Sequence, residues 1–269
     1  MGASMRKLNI IVLMLFFLTA CSNSTTSKVD EKISFSLDSG LVTFIFDDGH
    51  KTFYNNAFSL FKDKGFVGSI AIDTKRWDSR DKNLMTNMQI LEMQESGWEV
   101  MSHSVSHKNN TEGLNSLGWI VKRELKKSKE YLESNGFEVN QYVAPNSSFP
   151  LDKHKDLLQS YYQAGYTTYV NAKEEPIEKL VMSSPIDVYK LHRANMEGLS
   201  IDKLKGFIDY VEKNKVWLIL YEHQIGGEER YTTTETLSEL LDYIGTKNIE
   251  IVTGTQAIEI IKSHEIKSP

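Results

Sequence analysis

Leu41-Val42-Thr43-Phe44-Ile45-Phe46-Asp47-Asp48-Gly49-His50 is a short run of β-forming residues that ends abruptly in two adjacent carboxylates. On a regular strand Asp47 and Asp48 would face opposite ways. Gly49 permits a sharp turn that aims both into one cleft, and a cation between them would offset their repulsion. Asp and Gly are also common in ordinary polar turns, so by itself the stretch establishes only a buried strand with an acidic end.

Working outward, the same strand–helix unit returns. Asn56–Lys64 reads as a helix closed by Gly65, and Phe66–Ile72 as the next strand. Met85–Ser96 is a helix stopped by Gly97, and Trp98–Met101 a third strand. Leu117, Val121, Leu125 and Leu132 recur at helical spacing up to Asn135-Gly136. Strand Gln141–Ala144, helix Lys155–Ala164 stopped by Gly165, and strand Tyr166–Val170 follow. Ser200 caps a helix carrying Leu204, Phe207, Ile208 and Val211. Val216–Tyr221 is a buried strand, Leu237–Ile244 a helix, and Ile249–Val252 the last strand before a short helix. About seven such units predict a parallel sheet, open or closed into a barrel. In such sheets the chemistry sits in loops after the carboxyl ends of strands.

Two further strand ends carry reactive side chains. The third strand runs into Ser102-His103-Ser104-Val105-Ser106-His107, whose histidines lie four apart, a spacing that one helical turn places on one face to grip a metal. The helical zinc-protease motif is excluded, because Ser104 stands where Glu would follow His103. Val216–Tyr221 ends in Glu222-His223-Gln224. Each feature has a plain alternative, a surface histidine pair in one case and a packing histidine in the other. Their interest is in company, since an Asp and two His leave open positions on a metal for water and substrate.

Together these residues resemble the polysaccharide deacetylase family, carbohydrate esterase family 4. The family's Ser/Thr-Phe-Asp-Asp-Gly motif is matched by Ile45-Phe46-Asp47-Asp48-Gly49 with one departure at Ile45. Its His-Ser/Thr-x-x-His motif is matched fully by His103-Ser104-Val105-Ser106-His107. A third motif, roughly Arg-x-Pro-Tyr-Gly, is partly met by Val143-Ala144-Pro145-Asn146-Ser147, and a strand ending Leu-x-His loosely by Tyr221-Glu222-His223. Motif order agrees from about residue 40 to 260.

The resemblance implies a single-domain α/β fold, a distorted (β/α)7 barrel. It implies that Asp48, His103 and His107 bind a divalent metal, commonly zinc, with cobalt, nickel or manganese as alternatives. Asp47 would be the general base toward metal-bound water, and His223 the general acid for the leaving amine. The backbone N–H of Asn146, beside Pro145, would meet the developing oxyanion. The substrate implied is an acetylated amino-sugar polymer: peptidoglycan, poly-N-acetylglucosamine or a chitin-like chain. An O-acetyl (xylan) esterase using the same site, and an inactive glycan-binding protein on the same fold, are the alternatives. The family's third-motif Arg falls on Val143, which removes a partner that would keep Asp47 ionised. Arg193 is the candidate to supply that charge from another strand, and His50 a candidate supporting or substrate contact. The family's fourth motif, an Asp that tunes the acid histidine, has no clear match near Tyr169–Glu175.

The chain's start has another role. Arg6 and Lys7 precede an apolar run from Leu8 to Leu18, too short to span a bilayer comfortably but suited to a signal peptide. Leu18-Thr19-Ala20-Cys21 resembles a bacterial lipobox, so residues 1–20 are expected to be removed and Cys21 to carry the lipid. A flexible tether over residues 21–37 and a catalytic domain over 38–264 are expected. The protein is then a monomer anchored outside the cytoplasm to the cell envelope. Cys21 is the single cysteine, which excludes a disulfide framework and any Cys-rich zinc module. The net charge of −5 becomes −7 once Arg6 and Lys7 are lost, against a nucleic-acid partner.

Overall fold

The computed structural model describes residues 32–227 and 231–266. The signal segment, Cys21 and the first part of the tether lie outside the described residues. Strand β1 (Gly40–Phe46) is buried along its whole length, because it is paired on both edges and covered on both faces. On one edge it meets β2 (Ser69–Ile72), with Phe46 opposite Ile70. From there the sheet runs through β3 (Glu99–Ser102), β4 (Gln141–Val143), β5 (Ala164–Val170), β7 (Leu191–Asn195) and β8 (Trp217–Glu222). The other edge of β1 closes the ring on β8, in register from Leu41↔Trp217 to Phe46↔Glu222.

These seven parallel strands make a closed barrel, the (β/α)7 fold expected. The barrel is distorted where β3 and β4 share one pair, Ser102↔Tyr142, and where β5 shifts register against β7. Two short strands lie outside the ring: β6 (Val181–Met182) antiparallel on β8, and β9 (Ile249–Ile251) parallel on the start of β1.

The alternation of side chains divides the core in two. Val42, Phe44 and Phe46 point outward to the helices, among them α1 (Ser59–Asp63, entered through a π-helical turn at Phe53–Phe58), α4 (Gly118–Ser134), α6 (Ile201–Asn214) and α7 (Thr234–Ile244). Leu41, Ile45, Met101, Val143, Leu191, Trp217, Ile219 and Tyr221 fill the barrel, closed at its lower end by Ala257, Ile258 and Ile261 of α8 (Gly254–Ser263). Among the described residues no helix is long and apolar enough to cross a membrane.

Several expectations are corrected. The last residues assigned to the tether are packed: Ile33 bridges Ile186, Phe35 bridges Glu265, and Ile33, Phe35 and Leu37 are buried beneath the barrel. Their alternating apolar pattern reads as an extended segment with one buried face. Helix α5 spans Leu151–Tyr161 and ends before the expected Ala164. Gly165 is not a helix stop but lies inside β5, where a Cβ would come within 2.7 Å of Leu158 Cδ2. Strand β2 begins at Ser69 and not at Phe66.

Candidate active site

The inward alternation of the strands, continued past the last paired residue on β1, β3 and β8 and kept within β7, places the reactive side chains. On β1 the series Leu41, Thr43, Ile45 leads to Asp47; on β3 Met101 leads to His103; on β7 Leu191 leads to Arg193; on β8 Tyr221 leads to His223. All four therefore gather at the carboxyl-terminal mouth of the barrel, where Asp47 N donates to Glu222 O at 3.0 Å.

Asp48 must then turn toward the same cleft, and it does so with a left-handed backbone, φ 67°, followed by Gly49 at φ 66°. His103 and His107 are not on a helical turn as their spacing suggested. They are brought together by a loop in which Ser104 (φ 68°) and His107 (φ 51°) are left-handed. Asn146 and Ser147, after β4, are left-handed as well. Five of the seven non-glycine residues with positive φ among the described residues thus surround one cleft, where such conformations typically cost about 1–3 kcal/mol each.

Side-chain acceptors help to hold the histidine loop. Glu124 of α4, fully buried, accepts from the backbone N–H groups of Val105 (3.1 Å) and Ser106 (2.8 Å). His107 N donates to Ser104 Oγ at 3.0 Å. The role of Glu124 is hidden in the sequence, because it lies in the basic run Lys122–Lys129, which reads as a solvated helix face.

The electrostatics favour a cation. His103 Nδ1 donates to Val143 O at 2.8 Å, since the carbonyl can only accept. That leaves Nε2 of neutral His103 with a lone pair aimed at Asp48 Oδ1, 3.6 Å away. His107 Nε2 stands 3.4 Å from the same oxygen. Asp48 Oδ1 is buried and accepts no hydrogen bond. A carboxylate oxygen and two imidazole nitrogens that face one another in a half-buried cleft fit a divalent metal ion, and this donor set suits zinc and its neighbours. Burial holds His103 below the usual histidine range, which keeps it neutral as a ligand must be.

Asp47 lies beside this seat, its Oδ2 4.0 Å from His103 Nε2, and is 2% exposed. Arg193 Nη1 reaches both of its oxygens, at 2.7 and 3.0 Å. Burial alone would push the Asp47 carboxyl up, but Arg193, with His103 and His223 adding to it, holds it below the ordinary carboxylate value. Arg193 is itself fixed, with Nη2 donating to Ser147 Oγ at 3.0 Å and its guanidinium lying 4.3 Å from the centre of the Tyr221 ring. The cation missing from β4 at Val143 thus arrives from β7.

His223 is half-buried and stands against the Tyr221 ring. Carboxylate oxygens of Glu197 and Glu222 and a ring nitrogen of His223 lie within 4.8 Å of one another. Glu222 accepts from His223 N (2.8 Å) and Thr232 Oγ1 (2.5 Å), and burial pushes its carboxyl up to about 7. Glu222 is next to His223 in sequence, whereas Glu197 follows a strand without an apolar run and so carries no sequence signal. Of the other candidates, Pro145 is buried and Asn146 exposed at the loop tip, while His50 Nε2 meets Arg76 Nη2 at 3.3 Å. Trp77 and Phe149 are packing residues: Trp77 Nε1 donates to Met85 O, and Phe149 stands on Tyr142.

Comparison with known proteins agrees with this geometry. Residues 36–169 match the family described as polysaccharide deacetylase. A poly-beta-1,6-N-acetyl-D-glucosamine N-deacetylase of Staphylococcus epidermidis is 29% identical over 134 residues, 45% of this chain and 46% of that protein. The chain thus aligns with about half the length of that relative. The peptidoglycan deacetylase PdaC from Bacillus subtilis shares the fold with a TM-score of 0.57 at 13% identity, over 84% of this chain and 93% of its own. A CE4 family pseudoenzyme from Bacillus anthracis does so at 0.55 and 12% identity, over 82% and 66%. With its two acidic and histidine motifs at the mouth of a seven-stranded barrel, the chain belongs to the polysaccharide deacetylase family.

Proposed function

We propose that the protein removes N-acetyl groups from an extracellular amino-sugar polymer, with poly-N-acetylglucosamine the first candidate and peptidoglycan the second. The observation that carries the reading is a buried carboxylate, Asp47, kept ionised by Arg193 directly beside the three-ligand seat of Asp48, His103 and His107. The similarity to a poly-N-acetylglucosamine deacetylase supports the amide over the ester as substrate. The anchor through Cys21 and a place in the cell envelope complete the proposal.

Asp48, His103 and His107 would hold a divalent ion, zinc for preference, which would supply Lewis-acid polarisation of the acetyl oxygen and acidify water. Asp47, ionised and oriented by Arg193, takes the proton of the attacking water. His223 gives a proton to the leaving nitrogen, which would otherwise depart as an unstable anion. The Asn146 N–H, presented by a left-handed turn, meets the developing oxyanion.

Mature protein supplied with zinc or cobalt is expected to release acetate from N-acetylglucosamine oligomers. Asp47→Asn should abolish release with the metal content intact. Binding of glycan with metal present, but no acetate from either N- or O-acetylated polymers, would establish the glycan-binding alternative instead.

A further inference from the structure

Helix α2 (Thr74–Asp78) begins immediately after β2, capped by Asp73, whose Oδ1 accepts from Arg76 N at 3.3 Å. Its first turn is tied to the histidine loop: Thr74 N donates to Ser104 O (3.2 Å) and Lys75 N to Val105 O (2.9 Å). From the same turn Arg76 reaches the opposite side of the cleft. Nη1 lies 3.4 Å from Asp48 Oδ2, and Nη2 donates to His50 Nε2 at 3.3 Å. The His50 loop is in turn fastened, with Met85 N donating to Gly49 O and Lys51 N to Asn83 O. One helical turn therefore grips both halves of the metal seat.

This makes the two oxygens of Asp48 unequal. Oδ1 is buried, faces His103 and His107, and has no hydrogen-bond donor. Oδ2 faces a guanidinium that is always charged and that cannot leave without also releasing His50. A carboxylate on a first-row ion otherwise binds through one oxygen or through both. We infer that Arg76 is a positioning residue that occupies Asp48 Oδ2 and confines Asp48 to one ligating oxygen, so that coordination positions stay open for substrate. This inference rests on the metal seat proposed above and on nothing else in the catalytic assignment.

The test compares cobalt-loaded wild type, Arg76→Ala and Arg76→Lys by visible absorption and by acetate release. Because Arg76 is partly exposed, both variants are expected to fold. Loss of Arg76 in the alanine variant frees Oδ2 to join the ion, so its cobalt bands should weaken and shift toward those of a more highly coordinated ion. Acetate release should fall ~10–100-fold, the usual scale for groups that orient a ligand. Arg76→Lys should recover the spectrum only in part, since a single ammonium cannot hold both Asp48 and His50. Cobalt bands in Arg76→Ala identical to wild type would overturn the inference while leaving the seat intact. If wild type takes up no cobalt, or His103→Ala keeps it, the seat itself is wrong and the inference falls with it.

Discussion

Replacing Arg193 with Met removes the only cation within contact of the buried Asp47 carboxylate among the described residues. Breaking a buried pair by deleting one partner typically costs about 3–5 kcal/mol, because the remaining charge is neither solvated nor matched. With Asp47 2% exposed and bound through two contacts at 2.7 and 3.0 Å, the upper part of that range is expected. A double-mutant cycle isolates the pair. Arg193→Met, Asp47→Asn and the double variant are unfolded in urea at pH 7, with Ser147→Ala as control for the lost Nη2 contact. Asp47→Asn removes the charge that Arg193→Met strands, so the double variant should be more stable than the sum of the two single losses by about 2–4 kcal/mol. In Arg193→Met the burial of Asp47 is opposed only by His103 and His223, so its carboxyl rises and the acid limb of the activity profile moves to higher pH. Activity at neutral pH should fall by up to ~10²–10⁴-fold, the scale of a lost general base. Additive stabilities together with an unmoved acid limb would refute the assignment of Arg193 as the partner of Asp47.

Two other perturbations examine the support around the cleft. Glu124→Ala leaves the N–H groups of Val105 and Ser106 without their acceptor, which should cost about 2–3 kcal/mol and lower metal affinity ~10-fold or more; full affinity in a folded variant would show that Glu124 serves helix packing alone. Glu222, pushed from 4.5 to about 7 by burial, keeps a proton in the folded chain that the unfolded chain releases, so its contribution is complete below about pH 4.5 and lost as pH rises through 7. That loss amounts to about 3 kcal/mol. Glu222→Gln should therefore show a flatter dependence of urea midpoint on pH between 4 and 8, and curves parallel to wild type would contradict the burial argument.

What the sequence showed followed from periodicity. Leu41, Thr43 and Ile45 already declare which face Asp47 shares, and Tyr221 does the same for His223. Strand β7 was harder, because Leu191-His192-Arg193-Ala194-Asn195 has no apolar run; it is a strand through its neighbours β5 and β8. Arg193 could therefore be suspected but not placed. Glu124 escaped for a related reason: a carboxylate in a charged stretch is buried only if a distant loop covers it, and that contact has no local signature. The histidine spacing suggested a helical turn, whereas left-handed residues at Ser104 and His107 achieve the same convergence.

Closure of the barrel also sets an order of assembly. Asp48, His103 and His107 lie within sixty residues of one another, on loops after β1 and β3, which meet through β2. Asp47 and His223 are neighbours only because β1 pairs with β8, a contact between segments some 175 residues apart. Long-range pairings of this kind form late, after the loop entropy between them has been overcome. A chain that orders from its first strands can thus bring Asp48, His103 and His107 together from the first half of the fold, yet has no His223 opposite Asp47 until Trp217–Glu222 has paired with β1. The candidate site is complete only once the barrel itself has closed.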